Sequence, residues 1–220
     1  MAKHRLEIPI LYEDEDVIVI YKPYHLLTIR TDDKKTFSYN AYHFLKERQL
    51  AKREGLYIVH RLDFDTSGIL IFAKSYPVKE RLQALFEQRA VKRFYEAVVR
   101  EKIPLGKEYK VRQFLAMNKS HQVYVTKDEK VGKEAITLIR ANNYINIGTA
   151  LKIEILTGRR NQIRLALRTL KLTLIGDKKY HHDEAKRMYL NAYKLIFPKE
   201  AKLKRSEFSV SPLWLLDAED

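Results

Sequence analysis

The stretch Val59-His60-Arg61-Leu62-Asp63-Phe64-Asp65-Thr66-Ser67-Gly68-Ile69-Leu70-Ile71-Phe72-Ala73-Lys74 decides how this chain reads. Two short apolar, β-branched runs, Tyr57-Ile58-Val59 and Ile69 to Ala73, bracket a polar connection, and each has the length and composition of a strand. Asp65, Thr66 and Ser67 suit local side-chain-to-backbone hydrogen bonds, and Gly68 supplies a positive φ. Turn chemistry therefore accounts for Asp65 to Gly68. It leaves His60-Arg61-Leu62-Asp63 unexplained. A connection clamped between rigid strands is a place where reactive side chains can be held accurately.

Working outward, Val17-Ile18-Val19-Ile20-Tyr21 reads as a buried strand, stopped by Lys22-Pro23. Ser38 to Leu50 carries Ala41, Phe44 and Leu45 at helical spacing. Ser75 and Pro77 open another helix, whose apolar face is Leu82, Leu85 and Phe86 and which runs to about Gln88. Beyond Phe94 the period falls towards two. Strands are predicted at Tyr95–Val99, Val111–Leu115, Gln122–Val125, Ala135–Ile139 and Leu151–Ile155, then at Arg187–Tyr193 and Arg205–Val210, with a third helix from Asn161 to Leu170. So few helical crossovers make antiparallel neighbours the rule. The expected fold class is α/β of the α+β kind, a mixed, mainly antiparallel sheet with flanking helices.

The chain has 220 residues with 42 Lys+Arg against 28 Asp+Glu, a net charge of +14. Such an excess draws a polyanion, and RNA, DNA or an anionic membrane surface would satisfy it, as would a generally basic proteome. There is no cysteine, so disulfides, thiolate metal sites and a cysteine nucleophile are excluded. None of the seven glycines forms a nucleotide-cradling loop, which argues against a nucleotide cofactor. No apolar run approaches the ~18 residues of a spanning helix, and the N-terminus does not read as a signal peptide. A cytoplasmic protein without membrane partners is expected.

His60-Arg61-Leu62-Asp63 followed by Thr66-Ser67-Gly68 and an apolar strand resembles the signature of the RluA-type pseudouridine synthases. Three further segments resemble that family in the right order. Leu11 to Pro23 is similar to its opening strand and Lys-Pro turn, Lys92-Arg93-Phe94-Tyr95-Glu96-Ala97 to its second motif, and Thr157-Gly158-Arg159-Arg160-Asn161-Gln162-Ile163-Arg164 to its third. Departures are Asn161 where the family usually has His, Ala166 where a His is common, and Tyr24-His25 where Gly is usual. The resemblance implies a curved, mainly antiparallel sheet with flanking helices and an RNA-binding cleft. It also implies isomerisation of a specific uridine in ribosomal or transfer RNA. Residues 1–220 are expected to form one catalytic domain, a monomer, with no separate N-terminal RNA-binding domain.

That reaction breaks an N-glycosidic bond, turns the uracil and joins C5 to the ribose, with no redox change or energy input, so no cofactor and no metal are expected. By the resemblance Asp63 is the nucleophile or base, Tyr95 faces the flipped uracil, and Arg164 pairs with Asp63 to keep it charged when RNA closes the pocket. Arg61 would reach into the RNA beside the vacated position, and Lys92, Arg93, Arg159 and Arg160 would meet phosphates. His60 is expected to orient the strand end. Asp65 reads as a solvated turn residue, and His181-His182 lacks the spaced partners of a metal site. Two other readings stay open. One is an RNA-binding module without catalysis. The other is a nuclease gathering Asp63, Asp65 and the acidic run Glu13-Asp14-Glu15-Asp16 around a metal.

Overall fold

A strand that is apolar at every position needs cover on both faces, and Val17 to Tyr21 finds it. The structure, a computed structural model, describes residues 8–29, 40–51 and 55–211. In chain order its elements are β1 (Ile10–Glu13), β2 (Val17–Lys22), α1 (Ala41–Ala51), β3 (Tyr57–Ile58), β4 (Ser67–Ala73), α2 (Tyr76–Glu87), β5 (Lys92–Val99) and β6 (Glu108–Met117). There follow β7 (Val123–Thr126), β8 (Lys133–Ile145), β9 (Gly148–Ile155), α3 (Gln162–Thr169), β10 (Leu190–Ile196) and β11 (Glu207–Ser209). Val17 and Val19 of β2, with Ile69 and Ile71 of β4, pack on Val78, Leu82 and Leu85 of α2. The alternate residues Ile18, Ile20, Leu70 and Phe72 pack on Ala41 and Leu45 of α1. Both strands are buried from end to end. Truncating a fully buried Leu45 or Leu82 to alanine would cost about 2–5 kcal/mol.

The other half of the sheet has one covered face. Leu151, Ile153 and Ile155 of β9 alternate with half-exposed residues, and they share a cluster with Ile163, Ala166 and Leu167 of α3. This is the period-two pattern of a sheet with one wet side. The helix starts match their local chemistry. Asn40 Oδ1 accepts the His43 N–H at 2.8 Å, capping α1, while α2 carries Pro77 in its first turn, where a missing N–H costs nothing. Of the helix predicted from Ser38, residues 38 and 39 lie outside the described residues.

The strands run β1-β2-β4-β10-β5-β9-β8-β6-β7, with β3 added on β4 and β11 on β10. Every pairing of these strands is antiparallel except β4 with β10, where Ser67 and Gly68 lie parallel to Asn191 and Ala192. This parallel pairing lasts two residues, because the strands then diverge and β3 takes the place beside Phe72 and Ala73. Gly68 is what permits so close an approach: its φ is +121°, and a Cβ there would lie 2.3 Å from Ala192 O. The last predicted strands are shifted. β10 begins at Leu190 rather than Arg187, since Tyr189 bonds instead to Ile175 O at 2.9 Å. The connection from β3 to β4 runs along the fork between β4 and β10.

Candidate active site

The β3–β4 connection is pinned on both sides of Asp63. Leu62 is buried, its N–H donates to Thr28 Oγ1 at 3.2 Å, and that hydroxyl donates back to Leu62 O at 3.0 Å. Beyond Asp63 a tight turn closes with Thr66 N–H on Asp63 O at 3.1 Å. His60 lies against the Phe86 ring of α2, with centroids 4.7 Å apart and planes 17° apart, and its Nε2 accepts the Ile71 N–H at 3.3 Å. Burial, with Arg93 adding to it, pushes the imidazole down to about 3. His60 is therefore neutral and fastens the connection to β4.

Asp63 is half-buried and faces a cavity of about 840 Å³ that Tyr95, Arg93, Asn161 and Arg164 also line. Its Oδ2 accepts the Asn161 amide at 2.8 Å. Its Oδ1 takes no hydrogen bond among the described residues. Arg164 does not complete the carboxylate. Its Nε and Nη2 meet Asp177 at 2.9 and 2.5 Å, and the expected Arg164–Asp63 pair is replaced by this one. The reason is burial: Asp177 is fully enclosed and would be stranded without a cation, whereas Asp63 keeps contact with solvent. Burial alone would raise Asp177, but Arg164 and the Tyr180 N–H more than reverse it and hold it below the usual carboxylate range. Burial likewise disfavours the Arg164 cation, and Asp177 outweighs it, with Asp63 and Asp65 adding attraction through space.

The remaining predicted residues divide by strand face. Tyr95 and Arg93 are on the cavity side of β5, and burial pushes the Tyr95 phenol up to about 12 against the pull of Arg93. Arg61, Arg159 and Arg160 line the same cavity, Arg61 and Arg160 being exposed. Lys92 is the exception. It is exposed but outside the cavity lining, because alternation along β5 turns it to the opposite face from Arg93 and Tyr95. Gly158 keeps the third motif close to β5, since a Cβ there would lie 2.3 Å from Arg93 Nη1.

Other side chains have different tasks. Gln162 ties the loop before α3 to β8: its Oε1 accepts from Thr157 Oγ1 at 2.7 Å, and its Nε2 donates to Ile136 O at 2.9 Å. His181 Nε2 donates to Arg164 O at 3.0 Å and is enclosed beside Asp177. The acidic run 13–16 does not converge with Asp63. It sits at the β1–β2 turn, the far end of β2 from Lys22, where Asp14 caps the turn and Glu13, Glu15 and Asp16 pair with Arg48, Lys204 and Arg81. The metal-nuclease constellation is not assembled.

Sequence reasoning placed Lys22 and Asn161 in the family-like motifs without giving them a role at this site, and passed over Asp177 and Tyr180. Lys22 is fully buried, and its ammonium donates to Leu26 O at 2.7 Å and Pro23 O at 2.9 Å. Burial pushes it down to about 7, opposed by Asp63 and Asp65. A lysine ending an otherwise apolar strand was the available signal. Asp177 and Tyr180 carried none.

The assembled site offers a carboxylate with one oxygen held and one open, a neutral phenol, and guanidinium groups along the walls. Its fold has counterparts. The human RNA pseudouridylate synthase domain-containing proteins 1 and 4 superpose with TM-scores of 0.78 and 0.73, at 21% and 20% identity. They cover 100% and 96% of this chain and 89% and 91% of their own. An uncharacterized RNA pseudouridine synthase of Helicobacter pylori is 31% identical over 189 residues, 84% of this chain and 69% of its own length. Ribosomal large subunit pseudouridine synthase D of Vibrio cholerae is 31% identical over 186 residues, 80% of this chain. The chain spans about half (53%) of that protein, as it does of the same-named Escherichia coli protein. The family described as RNA pseudouridylate synthase matches residues 16–169. Together with the RluA-type motifs, this places the chain in the RNA pseudouridylate synthase family.

Proposed function

We propose that the protein isomerises a uridine of structured RNA, ribosomal or transfer, to pseudouridine. The observation that carries this reading is the half-exposed Asp63 carboxylate beside Tyr95 and Arg164 in one cavity lined by basic side chains. Bringing the uracil to that carboxylate requires the nucleotide to leave its stack, at a cost of a few kcal/mol. Stacking on Tyr95 returns about 1–3 kcal/mol of it. Asp63 then acts through its open Oδ1, as nucleophile or base, while the bond from ribose C1′ to N1 breaks. After the base turns, C5 bonds to C1′, C5 loses its hydrogen as a proton, and N1 gains one. Tyr95 keeps its hydroxyl proton throughout the neutral range.

Arg61, Arg93, Arg159 and Arg160 supply sequence-independent contacts to phosphates. Large-subunit ribosomal RNA is the first substrate to try, because the Vibrio and Escherichia relatives carry that name. All of these side chains come from one chain, and a monomer working in the cytoplasm is proposed. No helix among the described residues is long and apolar enough to cross a membrane.

The test maps pseudouridines across cellular RNA with the gene present, deleted, and restored as wild type or Asp63→Asn. One site lost on deletion and regained only with wild type is the expected result. RNA binding with no site lost would leave a binding module.

A further inference from the structure

We propose that Asn161 is a positioning residue for Asp63, and that Tyr180 holds the direction of its amide; this rests on the isomerase reading above. Asn161 is buried, at 8% exposure, and sits immediately before α3 with φ +55°. Asparagine tolerates that left-handed conformation better than most residues. An amide can present either end, and the contacts here choose one. An ionised Asp63 can only accept, so Nδ2 faces its Oδ2 at 2.8 Å and the carbonyl end faces Tyr180. The Tyr180 hydroxyl lies 3.1 Å from Asn161 Oδ1 and 3.2 Å from Val123 O, within donating distance of both.

Tyr180 is itself fixed. Its N–H donates to Asp177 Oδ1 at 3.0 Å, and its ring lies 4.8 Å from the Arg164 guanidinium. Contacts thus run without a break from Arg164 through Asp177 and Tyr180 to Asn161 and Asp63. Arg164 touches Asp63 at no point and is linked to it by this relay as well as by attraction through space.

The relay does two physical jobs. A hydrogen bond on Oδ2 restricts rotation of the carboxylate and leaves Oδ1 turned to the substrate. It also favours the charged form, which otherwise becomes costly once RNA excludes water. An ionised carboxylate at position 161 could accept from Tyr180 but has no proton to donate to Asp63. Lys22, Tyr95, Arg164, Lys179 and Tyr180 also feel the Asp63 charge, and Asp65 lies beside it in sequence. Their presence makes a comparison among variants, at constant surroundings, the informative measurement.

The experiment uses Asn161→Gly, which keeps the left-handed backbone and removes the amide, and Asn161→Asp, which keeps the shape and sets a carboxylate against Asp63. Tyr180→Phe removes the lock alone. Transcripts of the host's large-subunit ribosomal and transfer RNAs, tritiated at uracil C5, are followed by single-turnover tritium release against pH, with RNA affinity measured in parallel. Asn161→Gly is expected to lower the maximal rate about tenfold to a hundredfold and to move the acid limb of the profile up by roughly one pH unit, with RNA affinity unchanged. Asn161→Asp moves both further, and Tyr180→Phe moves both less. Folded variants with the wild-type rate and acid limb would overturn the inference alone. A wild type that releases no tritium from these RNAs, while binding them, would overturn the isomerase reading and this inference with it.

Discussion

Arg164 and Asp177 form a two-pronged ion pair in which neither side chain is open to water, being 6% and 0% exposed. The pair holds the first turns of α3 against the segment that carries Tyr180. Losing one member leaves the other charged and enclosed, which costs more than the pair contributes. Asp177→Asn is therefore expected to lower unfolding free energy by about 3–5 kcal/mol, read by urea denaturation. The double variant Arg164→Met/Asp177→Leu should recover much of that stability without recovering turnover. A single Asp177→Asn as stable as wild type would contradict the account.

Lys22 makes stability depend on pH in a defined direction. Its ammonium titrates near 10.5 in the unfolded chain and at about 7 in the folded one. Between those values the unfolded state binds more protons, so this group's contribution rises from about pH 7 to about pH 10.5 and is constant below. Lys22→Met removes that rise. The check is the urea midpoint at roughly pH 7 and roughly pH 9: the wild type should gain across the interval relative to the variant. Absolute stability is not the readout, because the variant also loses the bonds to Leu26 O and Pro23 O.

Tyr95→Phe keeps the ring and removes a hydroxyl that stays protonated up to about pH 12. RNA affinity should stay within twofold of wild type, and isomerisation should slow by roughly a hundredfold, measured as tritium release from uracil C5. Unchanged activity per folded molecule would confine Tyr95 to stacking and leave its hydroxyl without a part in the reaction.

The cavity wall and the face of β5 turned away from it predict different salt behaviour. Alanine at Arg61, Arg159 or Arg160 should weaken RNA binding and reduce the slope of log affinity against log salt by about 0.7–0.9 for each phosphate no longer neutralised. Lys92→Ala, off the cavity, should leave the slope unchanged. An equal reduction of slope at Lys92 would place RNA on the other face of the sheet.

Much of this was legible in the residues themselves. Apolarity at every position from Val17 to Tyr21 requires cover on two faces, and α1 and α2 supply it. Alternation from Leu151 to Ile155 requires one wet face, and β9 has it. His60-Arg61-Leu62-Asp63 stands out because turn chemistry does not explain it. These signals are local: period, propensity and capping act within a few residues.

Only the tertiary structure decided which charges meet. The partner of Arg164 is Asp177, thirteen residues away, rather than Asp63, because the more deeply buried carboxylate has no water to fall back on. It also decided that β4 meets β10 in parallel for two residues before β3 takes over the pairing with β4. Contacts between distant segments depend on which polar groups folding encloses together, and that competition for partners leaves no periodic trace along the chain.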